Sequence, residues 1–197
     1  MKPLLLVGCG GHARSVIDII ESEKKWKIHG LIGMPHEVGT NILGYEVIGT
    51  DENLLNLRNE SVDAVLTVGQ ILSSRDRRRL ASKLNDLGFN SPVIISPYAV
   101  VSKHSVLGAG TIVGHGAIIN AEASVGIHCT INSRALIEHN AKINDHCHIS
   151  TGVLVNGGVN IGSDSFIGSG AMIRNGLSIP EGSIISAGTR VMGWPLI

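Results

Sequence analysis

The segment ALIEHNAKINDHCHIST, residues 135–151, sets His139, His146 and His148 within ten positions among small and aliphatic residues. Imidazole titrates near neutral pH, so histidines so placed can serve as general bases, proton carriers or metal ligands. A second stretch suited to chemistry is GCGGHA, residues 8–13, between the apolar run LLLV and a helical pattern. Written G-x-G-x-x-A, it fits a dinucleotide-type turn. Glycines there let backbone N–H groups approach an anion, and the start of a helix adds partial positive charge. A phosphate-bearing ligand is the expectation for this turn. A nicotinamide dinucleotide would also ask for an acid just after the second strand, to hold a ribose. That strand ends LIGMP, and the first acid beyond it is Glu37.

The bulk properties exclude several classes. Sixteen basic residues cancel sixteen acidic ones across 197 residues, which argues against a nucleic-acid partner. The apolar runs are far shorter than the ~20 residues a membrane-spanning helix needs, so no membrane insertion is expected. Three cysteines without a CxxC pair, and no targeting segment, fit a cytoplasmic protein. Phe, Tyr and Trp occur only twice each while 43% of the chain is hydrophobic, which suggests a thin or repetitive interior.

Two kinds of element must position these residues. Up to about residue 96 strands alternate with helices: strands at 4–8, 27–33, 45–49 and 62–69, helices at 13–22, 51–57 and 74–88. Asp51 is the expected N-cap of the short middle helix, and Gly88 closes the last one. Such alternation implies a parallel sheet with ligands beyond the carboxyl ends of its strands. After residue 97 the helical pattern stops and a period of six begins. Stepping by six from Val101 to Val191 meets sixteen aliphatic residues without a break, and the position four later is small or of modest size. The position directly after each aliphatic is often Gly or Asn, types that tolerate turns. A period of six fits neither a helix nor a simple strand. It fits coils of three short strands, 18 residues per coil, stacked at ~4.8 Å.

The register sorts the remaining candidates. Cys129 and Cys147, 18 apart, fall in one inward column as small core residues rather than a disulfide. His128, His146 and Asp164 share an outward column; such a ladder could hold zinc, but the period alone produces a solvent-facing stack, and no metal is expected. His115 repeats the hexad position of His139 four hexads earlier, on another face.

Together the GxxGH turn, GYEVIGT (44–50), VGQ (68–70) before an arginine-bearing helix, and ISPYAVVS (95–102) leading into hexads resemble one family. These are the hexapeptide-repeat sugar O-acyltransferases of the sialic-acid O-acetyltransferase type, with relatives that N-acetylate UDP-linked 4-amino sugars. The resemblance implies a Rossmann-like αβ nucleotide-sugar-binding domain over residues 1–96 and a left-handed parallel β-helix of about five coils over 97–197. It further implies a homotrimer, acetyl-CoA as co-substrate, and N-acetylation of a nucleotide-linked amino sugar for surface-glycan synthesis. O-acetylation of sialic acid or a related sugar is the alternative, and a non-catalytic nucleotide-sugar-binding scaffold a second.

By the same resemblance, Gly10, Gly11 and His12 lie at the substrate phosphates and sugar, and Gly69 and Gln70 beside the base. Gly33 and Met34 stand where the family has an Asp pair near uracil and ribose, so another nucleotide or a free sugar fits as well as UDP. IEHN (137–140) matches the catalytic segment, with His139 as general base for direct transfer and no acyl-enzyme. The family usually follows this histidine with Glu or Asp. Asn140 can accept a hydrogen bond from the ring but adds no charge, so that charge is either missing or supplied by another carboxylate, for instance a neighbouring subunit's. His148 matches a residue at the thioester of acetyl-CoA, Ser169 and Ala187 match backbone positions along CoA, and His146 has no family role.

Overall fold

The computed structural model describes residues 1–70 and 73–195. Its internal contacts divide the chain into two units. Met1–Gly69 with Arg75–Pro92 form the first; the Gln70–Ser74 segment and the chain from Val93 onward form the second. Residues 196 and 197 of the expected repeat domain lie outside the described residues.

In the first unit β1 (Lys2–Val7), β2 (Trp26–Ile32), β3 (Asn41–Ile42), β4 (Tyr45–Gly49) and β5 (Asp63–Leu66) make one sheet in the order β3-β4-β2-β1-β5. All neighbours are parallel except β3 and β4, which form an antiparallel edge. Leu4–Val7 of β1, which pairs with a strand on either side, are buried on both faces, as a parallel sheet covered by helices requires. Helix α1 (Gly11–Glu23) buries Ala13, Val16, Ile17, Ile19 and Ile20. Helix α2 (Leu54–Leu57) contributes Leu54 to a second cluster with Leu80, Ala81 and Leu84 of α3 (Arg75–Asp86). The chain runs from β1 out to β4 and returns to β5 on the other side of β1, so the order reverses between β1 and β5. That reversal is where such sheets open a crevice.

Two local expectations change. The N-cap of α2 is Asn53, not Asp51. Asn53 Oδ1 takes the Thr50 N–H at 2.9 Å, while Asp51 pairs with Arg79 of α3 at 2.6 Å. The strand read at 62–69 ends at Leu66, and Thr67–Gly69 become the loop at its carboxyl end.

The second unit is the left-handed β-helix. Two-residue strands follow one another every six residues from Ile94–Ile95 to Arg190–Val191 and pair in parallel, 18 residues apart, in three sheets. Ile118 thus faces Leu136, Ser124 faces Lys142, and Thr130 faces His148. The sixfold column of aliphatics and the small residues four later fill a single core from Val113 to Val191, with Cys129 and Cys147 inside it. Both thiols are free and bond to carbonyls of the next coil, Asn144 at 3.0 Å and Gly162 at 3.1 Å.

The corners work differently from the sequence reading. Left-handed backbone recurs three positions after each aliphatic from Leu107 to Ile185, at Gly110, Gly116, Glu122, His128, Arg134, Asn140, His146 and onward to Gly188, all at φ between 50° and 70°. The glycines directly after the aliphatics are kept for another reason. A Cβ on Gly162 would lie 2.4 Å from the Glu181 nitrogen, and one on Gly168 would lie 2.5 Å from that of Ala187. Asparagines at the same position, Asn144 and Asn156, instead send their amides to a carbonyl of the next coil at 2.6 Å. Close stacking, not turn conformation, selects this position.

Candidate active site

His139 is exposed at a corner two residues past the buried Ile137, which anchors the strand Leu136–Ile137 beneath it. Its Nδ1 lies 2.9 Å from Asn140 Oδ1. An amide oxygen only accepts, so this contact places a proton on Nδ1 and leaves Nε2 as the basic nitrogen. Asn140 in turn donates from Nδ2 to Glu122 Oε2, one coil earlier in the same left-handed column. A second acid, Glu138, is turned elsewhere: its Oε2 accepts the backbone N–H of His139 at 3.2 Å and the Asn120 amide at 3.0 Å. The imidazole lies over Gly157, where a Cβ would come within 2.8 Å of the ring. Sequence reasoning named His139 and Asn140 but missed Glu122, Glu138 and Gly157. The 18-residue offset was the available signal, since Glu122 and Gly157 each stand one coil from the pair.

The other histidines separate from this corner. His148 sits on the strand His148–Ile149 in a different sheet, buried, its ring tilted against Phe166 at 5.3 Å. Ser169 and Ala187 are exposed in consecutive coils past that sheet, and Ser169 Oγ lies 2.9 Å from Ser150 Oγ. His128 and His146 do stack, with centroids 5.6 Å apart and planes within 7°. They are not solvent-facing as expected, however: His128 is buried and His146 half-buried. Among the described residues no group of three His, Cys, Asp or Glu could hold a metal. His115 bonds Ser96 Oγ through Nδ1 at 2.6 Å, tying the start of the β-helix to its next coil.

In the first unit a pocket opens at the reversal of strand order, lined by Gly8, Cys9 and Gly10 after β1, Gly33, Met34 and Glu37 after β2, and Thr67–Gly69 after β5. Gly8 adopts φ +123° with the backbone of Val68 against it, so this turn glycine is required by conformation and by packing. Gly10 and Gly11 are different, because a Cβ at either would meet nothing within 4 Å. The first turn of α1 is left without a side-chain cap. Gly33 has no room for a side chain: a Cβ would lie 2.7 Å from Cys9 Sγ and 2.9 Å from Glu37 Oε2.

Glu37, distant from β2 in sequence, is brought back by the turn Pro35–Glu37, its Oε2 accepting the Met34 N–H at 2.7 Å. The Cys9 thiol also donates to it, which with the Met34 contact holds the Glu37 carboxyl below its usual range. Burial first, and then that carboxylate, push the Cys9 thiol up to about 11. His12 follows Gly11 with Nε2 buried, and burial, then the nearby Arg77 guanidinium, lower it to about 4. Gln70 belongs to the second unit, where its side chain is buried and donates to the Asp164 carbonyl at 3.3 Å.

Residues 3–84 match the PglD N-terminal domain family. No curated protein sequence matches the chain. Among solved structures, a histidine-to-asparagine mutant of perosamine N-acetyltransferase from Caulobacter crescentus, in complex with CoA and GDP-perosamine, superposes with a TM-score of 0.90. It is 30% identical, and the match covers 95% of this chain and 87% of that one. The acetyltransferase domain of PglB from Neisseria gonorrhoeae, in complex with acetyl coenzyme A, gives 0.89 at 28% identity, covering 98% and 91%. WeeI from Acinetobacter baumannii shares the fold, with a TM-score of 0.77 at 18% identity. With a parallel-sheet unit followed in sequence by an unbroken run of hexads, and likeness along nearly its whole length, the chain belongs to the hexapeptide-repeat sugar acyltransferases.

Proposed function

We propose that the protein is an acetyl-CoA-dependent N-acetyltransferase of a nucleotide-linked amino sugar, working in surface-glycan synthesis. The observation that carries this reading is the 2.9 Å contact of His139 Nδ1 with Asn140 Oδ1, which assigns the proton to Nδ1 and leaves Nε2 as base. The amine must lose a proton as it attacks the acetyl thioester, and Nε2 receives it. Backbone N–H groups stabilise the oxyanion that develops. Transfer is direct, because the chain offers no activated thiol. All three cysteines are buried, Cys9 is raised to about 11, and the Cys129 thiol beside Cys147, together with burial, pushes the latter further up.

The nucleotide belongs to the pocket of the first unit. Nothing in the protein's own packing explains glycine at positions 10 and 11, so the bare start of α1 is left for the diphosphate. Gly33, Gly69 and Glu37 line the rest, with Glu37 supplying the acceptor for ribose or base that the family's Asp pair supplies elsewhere. His12 and Gln70 are assigned to the same ligand by the family resemblance. His148, Ser169 and Ala187 are assigned to acetyl-CoA, which brings the activated acetyl group. The CoA and GDP-perosamine bound to the Caulobacter relative support this pair of ligands.

A homotrimer completes the reading. On the sheet whose strand Leu136–Ile137 leads into His139 the outward residues are Val100, Ile118, Leu136, Leu154 and Met172, closed off by Arg190, an apolar column over five coils with Val100 63% and Leu154 40% exposed. The matching column on the next sheet begins at Val106 and is polar from there on, through Ser124, Lys142, Asn160 and Ser178. A continuous apolar stripe of this kind marks a subunit contact. No described helix is long and apolar enough to cross a membrane. We assign the enzyme to the cytoplasm, where its free cysteines stay reduced.

Incubation with acetyl-CoA and a panel of GDP- and UDP-linked 4-amino sugars, following thiol release, tests the proposal. Turnover is expected, and His139→Ala should lower kcat by about 100- to 10,000-fold, the range of general-base catalysis. Absence of both turnover and CoA binding overturns the reading, and undiminished turnover by the variant removes His139 as base.

A further inference from the structure

We propose that Glu122 is the positioning acid of this site, acting through Asn140 to fix the tautomer of His139. The inference rests on the reading of His139 as base. Asparagine alone is a poor partner for a general base, since its amide can turn either way. With Oδ1 toward the ring, Nδ1 carries the proton and Nε2 is basic. With Nδ2 toward the ring, Nδ1 must accept, the proton moves to Nε2, and the base is lost. A carboxylate beside the other end of the amide breaks this symmetry, because an ionised carboxylate only accepts.

Glu122 is that carboxylate. Its Oε2 takes a hydrogen bond from Asn140 Nδ2, so Oδ1 is turned to His139 Nδ1 at 2.9 Å. Glu138, the acid nearest in sequence, is held by the His139 backbone N–H and by Asn120 and does not orient the ring. The geometry follows from the fold. Glu122 and Asn140 are 18 residues apart at successive left-handed corners, φ 61° and 59°, and the Asn140 N–H bonds the Ala121 carbonyl at 3.2 Å. The stack therefore sets the two side chains side by side. The acid thus stands one coil away from the position after the base, with the amide between them transmitting its orientation.

The test uses the full-length protein in four forms, Glu122→Gln, Asn140→Asp, the double variant and His139→Ala. Each is assayed with acetyl-CoA and the acceptor found by the panel above. The amide introduced by Glu122→Gln can face Asn140 with either end. That variant should therefore lower kcat by about 10- to 100-fold, the range known for losing the partner that orients a metal-bound imidazole. KM for both substrates should stay unchanged. In the double variant the carboxylate introduced by Asn140→Asp orients the ring directly, and kcat should return to within a few-fold of wild type. Asn140→Asp alone sets two carboxylates together and should do worse than the double variant.

Long-range 1H–15N spectra of the His139 ring give a readout that needs no turnover. Wild type should show the Nδ1–H tautomer and Glu122→Gln a mixture or the inverse. Full kcat in Glu122→Gln with an unchanged tautomer overturns the relay, as does a loss that adding Asn140→Asp fails to restore. If His139→Ala keeps its activity, the base assignment falls instead, and the tautomer spectra still decide whether Glu122 sets the ring.

Discussion

His12 shows how burial dictates a protonation state at a single residue. Its imidazole is lowered from 6.5 to about 4, first by burial and second by Arg77. The folded state therefore resists the proton that the unfolded chain accepts below pH 6.5. Stability is unaffected above that pH and is lost progressively as pH falls through about 4, by about 3 kcal/mol in full. Urea unfolding followed by Trp26 fluorescence in a Trp194→Phe background measures this. His12→Asn should show a flatter acid dependence than the parent, and parallel curves would sink the assignment. At this scale the sequence was readable where the residue carries its own chemistry. His139 and Asn140 were singled out by the resemblance of IEHN to the family's catalytic segment, since the hexad position alone is shared with His115. Glu122 and Gly157 did not follow, because their roles depend on which way a ring and an amide lean between coils. Glu37 was hidden by a turn that returns it over Gly33, although its distance from the strand argued against it.

At the scale of the element, the period of six announces the strands but not what its glycines do. Gly162 and Gly170 look alike in sequence, yet they face opposite demands. A Cβ on Gly162 would press within 2.4 Å of backbone that cannot rotate away. On Gly170, at φ +68°, it would meet nothing within 4 Å. Glu122, Arg134, Asn140 and Asp164 already hold the same left-handed conformation without glycine. Gly170→Ala should cost about 1 kcal/mol of conformational strain. Gly162→Ala, which must push neighbouring coils apart, should cost about 3 kcal/mol. Thermal unfolding of the two variants should rank them in that order, and the reverse ranking would contradict the close-stacking account. The first unit was equally legible in outline. Alternating strands and helices gave its parallel sheet, whereas the β3 edge strand and the Asn53 cap were too short or too local to register as periodicity.

For the whole molecule, the apolar column from Val100 to Met172 predicts an assembly. Light scattering should give three times the chain mass of 20.7 kDa. Leu154→Asp, at a position half open in the single chain, should leave the fold intact and reduce the mass to one chain. A single-chain mass for the unaltered protein would refute the trimer. The prism also responds to force in its own way. In the three sheets each strand from Val93 onward pairs only with the strands one coil before and one coil after, and each coil consumes the same 18 residues. A pull along the axis therefore loads one rung of two-residue strands at a time rather than the structure as a whole. Each rupture frees the same length of chain, roughly 60 Å when fully extended. Such a protein yields like a zip in equal steps, and a partner or protease that opened one terminal coil would leave the His139 corner standing until the peeling front reached it.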